Sequence, residues 1–187
     1  TPWGEDDLKA AAKMGAHAVL LPKVESKAMV DQAIAILDAA GAPKDLPIWA
    51  MMETPLGMLN AAAIAGHPKL QGMVMGTNDL AKELQTRHRA DRLPLQAGLG
   101  LCLLAAKANG LVIVDGVYNV FKDDEGLKVE CDQGRDMGFD GKTLIHPAQV
   151  DVTNTAFSPS EAEVELARRQ IEAFNEVEAS GQGVAVV

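Results

Sequence analysis

The chain has 187 residues, 48% apolar and 23% charged, a composition that buries a core in one globular domain. Its formal net charge of −9 and sequence pI near 4.9 argue against nucleic acid and against an anionic membrane surface as partners. No apolar run reaches the length of a membrane span and no signal-peptide pattern opens the chain. Cys102 and Cys131 lack CxxC spacing, so a reduced, cytoplasmic setting is expected.

In chain order the sequence alternates helical and strand patterns. "GEDDLKAAAKMG" (4–15) carries acids in its first turn and a glycine stop, and "HAVLLPK" (17–23) is a strand-length apolar run. "SKAMVDQAIAILDAAG" (26–41) predicts a helix with Ser26 as N-cap and Gly41 as its end. Strand-like runs follow at "LPIWAMME" (46–53) and "GMVMGTND" (72–79), then a basic stretch, "QTRHRADR" (85–92). "LQAGLGLCLLAAKANG" (95–110) reads as a helix ending on Asn-Gly, "LVIVDG" (111–116) as a strand, and "DEGLKVECDQGRDMG" (124–138) as a helix stopped by Gly138. "GKTLIHP" (141–147) closes the series. A long amphipathic helix at 158–180 opens on a Ser160/Glu163 capping box and leads into the apolar "GQGVAVV" (181–187). The strand runs are continuous rather than alternating, as in parallel strands covered on both faces. "KMGAHAVLLPKV" and "DMGFDGKTLIHP" share one layout, a sign of repeated βα units.

Five such units build either an open doubly wound sheet or part of an eight-unit barrel, which takes about 250 residues. We read the chain as α/β, a partial TIM (β/α)8 barrel holding roughly strands 4 to 8 in residues 1–157. The C-terminal helix, 158–187, would lead towards a lid segment, and the barrel's first strands would precede residue 1.

In parallel α/β folds, polar residues at the C-terminal ends of strands converge on one face. Here those positions are Lys23, Glu25, Glu53, Asp79, Asp115 and His146. Glu53 and Asp79 lie one unit apart, so they would come from adjacent strands. Two close carboxylates repel unless a cation or proton sits between them, and an oxygen-only pair suits Mg²⁺. Taken singly, each acid could instead cap the following helix or sit in solvent. In "MGTNDLAKEL" (75–84), Gly76 permits close backbone approach, and the amides of Asn78 and Asp79 open a helix suited to a substrate carboxylate. A plain βα turn accounts for the same motif. Lys23 could form a Schiff base with a carbonyl substrate, as in an aldolase, or simply pair with Glu25. His146 either touches ligand or holds structure, while His17 and His67 fall at strand entries and receive no role. The basic stretch 85–92 either meets phosphates of a CoA thioester or is a solvated loop. No zinc cluster, nucleophile elbow, Walker loop or strand-linked GxGxxG is present.

Together, "LLPKVES", "WAMMETPLGMLNAAAIA", "VMGTNDLAKEL", "VDGVYNVFKDDEGL" and "MGFDGKTLIHPAQVDVTNTAFSPS" resemble the HpcH/HpaI aldolase and citrate lyase β-chain family, in order and over nearly the whole chain. The likeness is greatest to its CoA-thioester branch, the malyl-CoA lyases, malyl-CoA thioesterases and citrate lyase β-like proteins. The resemblance implies a TIM-type barrel assembling as a homotrimer or homohexamer. It implies Mg²⁺ (with Mn²⁺ as a substitute) held by Glu53 and Asp79, and a small oxoacid bound at Gly76, Thr77 and Asn78. It implies cleavage of a 3-hydroxyacyl-CoA such as malyl-CoA or citryl/citramalyl-CoA: the hydroxyl loses its proton and the thioester departs as an enolate, with the metal as Lewis acid and template. Hydrolysis of (3S)-malyl-CoA is the alternative, and a citrate lyase β subunit working with an acyl-carrier partner is another. The family's arginine and a further acid on earlier strands, and a catalytic acid on a lid closing over a neighbouring subunit, would fall outside these residues, so no catalytic residue is assigned.

Overall fold

A computed structural model describes residues 3–179. The chain divides into two compact units, 1–156 and 157–187. In the first, five strands form one fully parallel sheet: β1 (Val19–Leu21), β2 (Ile48–Met52), β3 (Leu70–Met75), β4 (Val112–Asp115) and β5 (Gly141–Lys142). Their spatial order is their sequence order. An open doubly wound sheet reverses its strand order at a switch point, whereas a barrel wall adds each strand beside the last. The consecutive order is therefore that of a barrel segment.

The helices are α1 (Gly4–Ala11), α2 (Lys27–Ala39), α3 (Pro55–Leu59), α4 (Ala61–Ala65), α5 (Thr77–Glu83), α6 (Gln96–Ala108), α7 (Asp124–Met137) and α8 (Val150–Phe157). Their ends follow the chemistry of the sequence. Ser26 Oγ accepts from the Met29 amide at 3.3 Å, and Gly41 and Gly138 take positive φ beyond α2 and α7. α3, α4 and α8 form where no helix was expected from the sequence. The helical signal at 54–65 is cut short by Asn60, but Thr54 caps α3 through the Gly57 amide at 3.0 Å, with Pro55 in its first turn.

The strands are shorter than their apolar runs. β5 covers 141–142 rather than 141–147, and β3 runs 70–75, which hands Thr77, Asn78 and Asp79 to a helix. Burial on both faces, expected for every strand, holds best for β3; β1, β2 and β4 alternate. Leu21, Ala50, Met73 and Ile113 pair across the sheet in one buried row, against which the helices pack. The next row, Leu20, Trp49, Gly72 and Val112, belongs to the opposite face, where Leu20 and Val112 are exposed. That face is the interior side of a barrel wall. Trp49 lies over Gly72, where an added Cβ would meet its ring at 2.6 Å.

In the second unit, α9 (Glu161–Ala179) starts with the expected capping box: the Glu163 amide donates to Ser160 Oγ at 3.2 Å, and the Ser160 amide to Glu163 Oε2 at 2.7 Å. The apolar segment 181–187 lies outside the described residues. No helix among the described residues is long and apolar enough to cross a membrane.

Candidate active site

Parallel strands in consecutive order bring their C-terminal ends to one edge, and the polar side chains gather there. Glu53 is the first residue after β2, Gly76 the first after β3, and Lys23 the second after β1. Among the described residues, Lys23 is one of three non-glycine residues with positive φ, at 47°. That turn aims both ends of the residue at the acids. Its amide donates to Glu53 Oε1 at 2.8 Å, and its Nζ donates to Asp79 Oδ1 at 3.0 Å. Glu83, one helical turn beyond Asp79, lies 3.5 Å from the same ammonium. Glu25, the partner expected from the sequence, is not the one Lys23 uses; it is half-buried, and its carbonyl accepts from Asn60 Nδ2 at 2.8 Å. The left-handed turn carries the ammonium away from its sequence neighbour and over to the next strand end but one.

Glu53 is 8% exposed. Burial pushes its carboxyl above the usual glutamate range. The Lys23 amide and ammonium oppose that shift, while the neighbouring carboxyl of Asp79 reinforces it. Glu53 and Asp79 therefore form a crowded acidic pair that needs positive charge. Lys23, half-exposed and held protonated chiefly by its hydrogen bond to Asp79, supplies part of it. A Schiff-base lysine needs the opposite, a lowered pKa. Among the described residues no cluster of three or more His, Cys, Asp or Glu gathers to hold a metal. Two carboxylates with the remaining positions left to water and substrate are a donor set for a hard divalent cation such as Mg²⁺.

Gly76 is required for space. A Cβ there would stand 2.3 Å from Glu53 Cβ and 2.8 Å from Oε2, while the Gly76 amide is tied to Met52 O at 2.8 Å. Gly76→Ala is expected to destabilise the protein by about 1–3 kcal/mol, as overpacking does. It should also weaken divalent-cation binding, because the side chain it displaces is Glu53. Urea denaturation and cation titration of the same variant check both outcomes.

The other predicted residues divide. Thr77 is buried, with its side chain against Gly116. Asn78 exchanges two amide hydrogen bonds with Asn119, at 3.0 and 2.8 Å, which ties the start of α5 to the loop after β4. Both Thr77 and Asn78 line a cavity of about 550 Å³ shared with Arg87 and His88. His146 is exposed; its Nδ1 accepts from the Ala148 amide at 3.1 Å, and its ring stacks on Phe121 at 4.6 Å. It caps a turn and stands apart from the acidic pair's contacts. The basic stretch is not uniformly solvated: Arg89 is neutralised by Asp91 at 2.6 Å, and Arg92 turns inward, 4% exposed.

Arg92 belongs to a charged group that brings together residues distant in sequence. Its Nη1 reaches both oxygens of Asp115, the last residue of β4, at 2.8 Å, and its Nε donates to Gln133 Oε1 at 2.6 Å. Lys142, the last residue of β5, donates to Asp115 at 3.1 Å and to Glu130 at 2.6 Å. The result is a quartet of two cations and two anions in which all but Glu130 are buried. Its signal in the sequence was an acid ending one apolar strand and a lysine inside the next, opposite charges that neighbouring strands place side by side.

Known proteins resemble this chain closely. A sequence profile of the family described as HpcH/HpaI aldolase/citrate lyase matches residues 1–147, most of the chain. The chain belongs to the HpcH/HpaI aldolase/citrate lyase family. A (3S)-malyl-CoA thioesterase of Cereibacter sphaeroides (strain ATCC 17023) from this family is 66% identical over 187 residues, covering 100% of this chain and 64% of the relative. The chain thus spans just under two thirds of that relative's length. A citrate lyase β subunit from Mycobacterium tuberculosis, solved with oxaloacetate and magnesium, superposes with a TM-score of 0.71 at 33% identity, over 82% of this chain and 67% of that one. Protein CitE from Mycobacterium tuberculosis, solved with magnesium, acetoacetate and coenzyme A, superposes with a TM-score of 0.75 at 34% identity, over 91% of this chain and 62% of that one.

Proposed function

We propose that the chain forms the metal-binding part of an enzyme acting on a malyl-CoA-type thioester, with Glu53 and Asp79 holding one Mg²⁺. The observation that carries this is the acidic pair itself: two neighbouring carboxyl groups, one of them buried, held by the amide and the ammonium of a single residue. When bound, the ion would act as Lewis acid and template for the substrate's oxygens. The chain's own residues do the positioning. The Lys23 amide fixes Glu53, Gly76 leaves that side chain its space, and the amides opening α5 offer donors to the carboxylate of a small acid. On the cavity that also takes in Asn78, Arg87 offers positive charge and His88 a ring N–H donor to the phosphates of CoA.

Of the two reactions weighed from the sequence, hydrolysis of (3S)-malyl-CoA takes precedence over carbon–carbon cleavage. The 66% identity to a thioesterase runs the whole length of this chain. Cleavage remains the second reading, favoured by the structural likeness to a citrate lyase β subunit solved with an oxoacid and magnesium. A product assay on malyl-CoA separates them. Hydrolysis gives malate and free CoA, cleavage gives glyoxylate and acetyl-CoA, and EDTA suppresses either. We expect malate; formation of neither product pair overturns the reading. A carrier protein co-purifying with the chain would favour a citrate lyase subunit instead. The reading places the enzyme in the cytoplasm, where its two buried thiols stay reduced, with burial pushing that of Cys102 up to about 12. It also includes assembly as a homotrimer or homohexamer, contacts of which would cover exposed side chains such as Leu59 and Leu104.

A further inference from the structure

We propose that Lys23 is a built-in counter-cation for the Glu53–Asp79 pair, which an incoming divalent ion displaces from Asp79 towards Glu83. The proposal rests on the reading of Glu53 and Asp79 as cation ligands and adds a positioning residue to it.

Three observations point the same way. Lys23 adopts a left-handed backbone conformation that costs a residue with a side chain some strain, and such strain persists only where its surroundings hold it. Here the holding contacts are to the acids: the amide on Glu53 Oε1 at 2.8 Å and the ammonium on Asp79 Oδ1 at 3.0 Å. The two contacts also differ in kind. The amide, fixed in the backbone, binds one oxygen of Glu53 and can stay when a cation arrives, so Glu53 remains aimed. The ammonium occupies Asp79 as a mobile positive charge on a flexible stem, about half-exposed, and can leave. Glu83 already stands 3.5 Å from that ammonium on the same helix as Asp79. It gives the displaced charge an acceptor, so the exchange moves a cation from one carboxylate to another instead of releasing it unpaired. Without the ion, the ammonium keeps two repelling carboxylates in place. With the ion, it is a competitor that has given way, and divalent affinity is set below what the bare pair would reach.

The test is titration of Mn²⁺, followed by the paramagnetic signal of the free ion, on the wild type and four variants, each first checked for folding by circular dichroism. Lys23→Met removes the competitor and is expected to tighten Mn²⁺ binding about tenfold, the screened effect of one nearby unit charge. Lys23→Gly keeps the amide donor on a backbone that glycine adopts without strain, and should tighten binding similarly. Lys23→Arg retains the charge and should stay within about threefold of the wild type. Lys82→Met removes an exposed charge from α5 that forms no ion pair with Asp79 among the described residues, and should shift affinity less than Lys23→Met. Unchanged or weaker binding in both neutral Lys23 variants, or an equal shift from Lys82→Met, overturns the proposal while wild-type binding still supports the cation reading. Absence of Mn²⁺ binding by the wild type overturns both. A second readout is thermal: Lys23→Met should melt lower than the wild type without metal, and gain more on adding Mn²⁺.

Discussion

Glu53→Gln is expected to lower divalent-cation affinity by more than about 100-fold and leave the fold in place. Glutamine keeps the volume of the side chain and an oxygen to accept the Lys23 amide, so the backbone of the clamp survives. What it loses is the charge, and with it half of a two-carboxylate donor set that no third acidic, histidine or cysteine ligand reinforces among the described residues. The sign of the pH effect follows from the burial of Glu53. Its folded pKa is raised, so the native state binds this proton more tightly than the unfolded chain does. Metal-free stability therefore carries a penalty that grows as pH rises from the ordinary glutamate value of 4.5 through the raised folded value. Glu53→Gln removes that penalty. In EDTA at neutral pH the variant should melt at or above the wild type, and added Mg²⁺ should raise only the wild type. Melting curves with and without metal at two pH values check each arm.

Asp115→Asn is expected to cost about 3–5 kcal/mol of stability, the scale for breaking a buried ion pair by removing one partner. Asp115 is fully buried, and Arg92 and Lys142 both point at it. Asparagine would leave two buried cations facing one partly exposed carboxylate, Glu130, and would present an amide where Arg92 needs two acceptors. The effect should appear as a lower urea midpoint with the slope unchanged. It should spread to the cavity as well, because Arg92 anchors the end of the loop that carries Arg87 and His88. A loss below about 1 kcal/mol would mean that the quartet is solvated and contributes little.

The barrel-like order of the sheet was legible because continuous apolar runs, glycine stops and first-turn acids punctuate the chain regularly. That Glu53 and Asp79 lie near one another follows from a simpler signal: each closes an apolar run, and consecutive parallel strands bring such positions to one edge, although Asp79 belongs to α5 and not to the strand. The partner of Lys23 was not legible. Sequence proximity favours Glu25, and only the left-handed turn at Lys23, which no composition signals, sends the ammonium to Asp79 instead. Arg92 misled for a related reason. Within "QTRHRADR" it reads as one more surface charge, but its guanidinium is drawn inward by Asp115, which is distant in sequence by 23 residues. His146 closes an apolar run in the sequence but lies beyond the end of β5 and serves its own turn, because Pro147 and the Ala148 amide occupy it locally. Strand-end position locates a residue at the mouth of the fold; what the residue does there depends on which neighbour reaches it first.

The central claim is that Glu53 and Asp79 share one divalent cation, and crystals of the protein grown with Mn²⁺ test it most directly through the anomalous signal of the ion. The account predicts a single strong peak bonded to an oxygen of each carboxylate at about 2.0–2.3 Å, with the Lys23 ammonium moved off Asp79. A peak elsewhere in the molecule, or a map without one at these two side chains while Lys23 still bridges to Asp79, would contradict it.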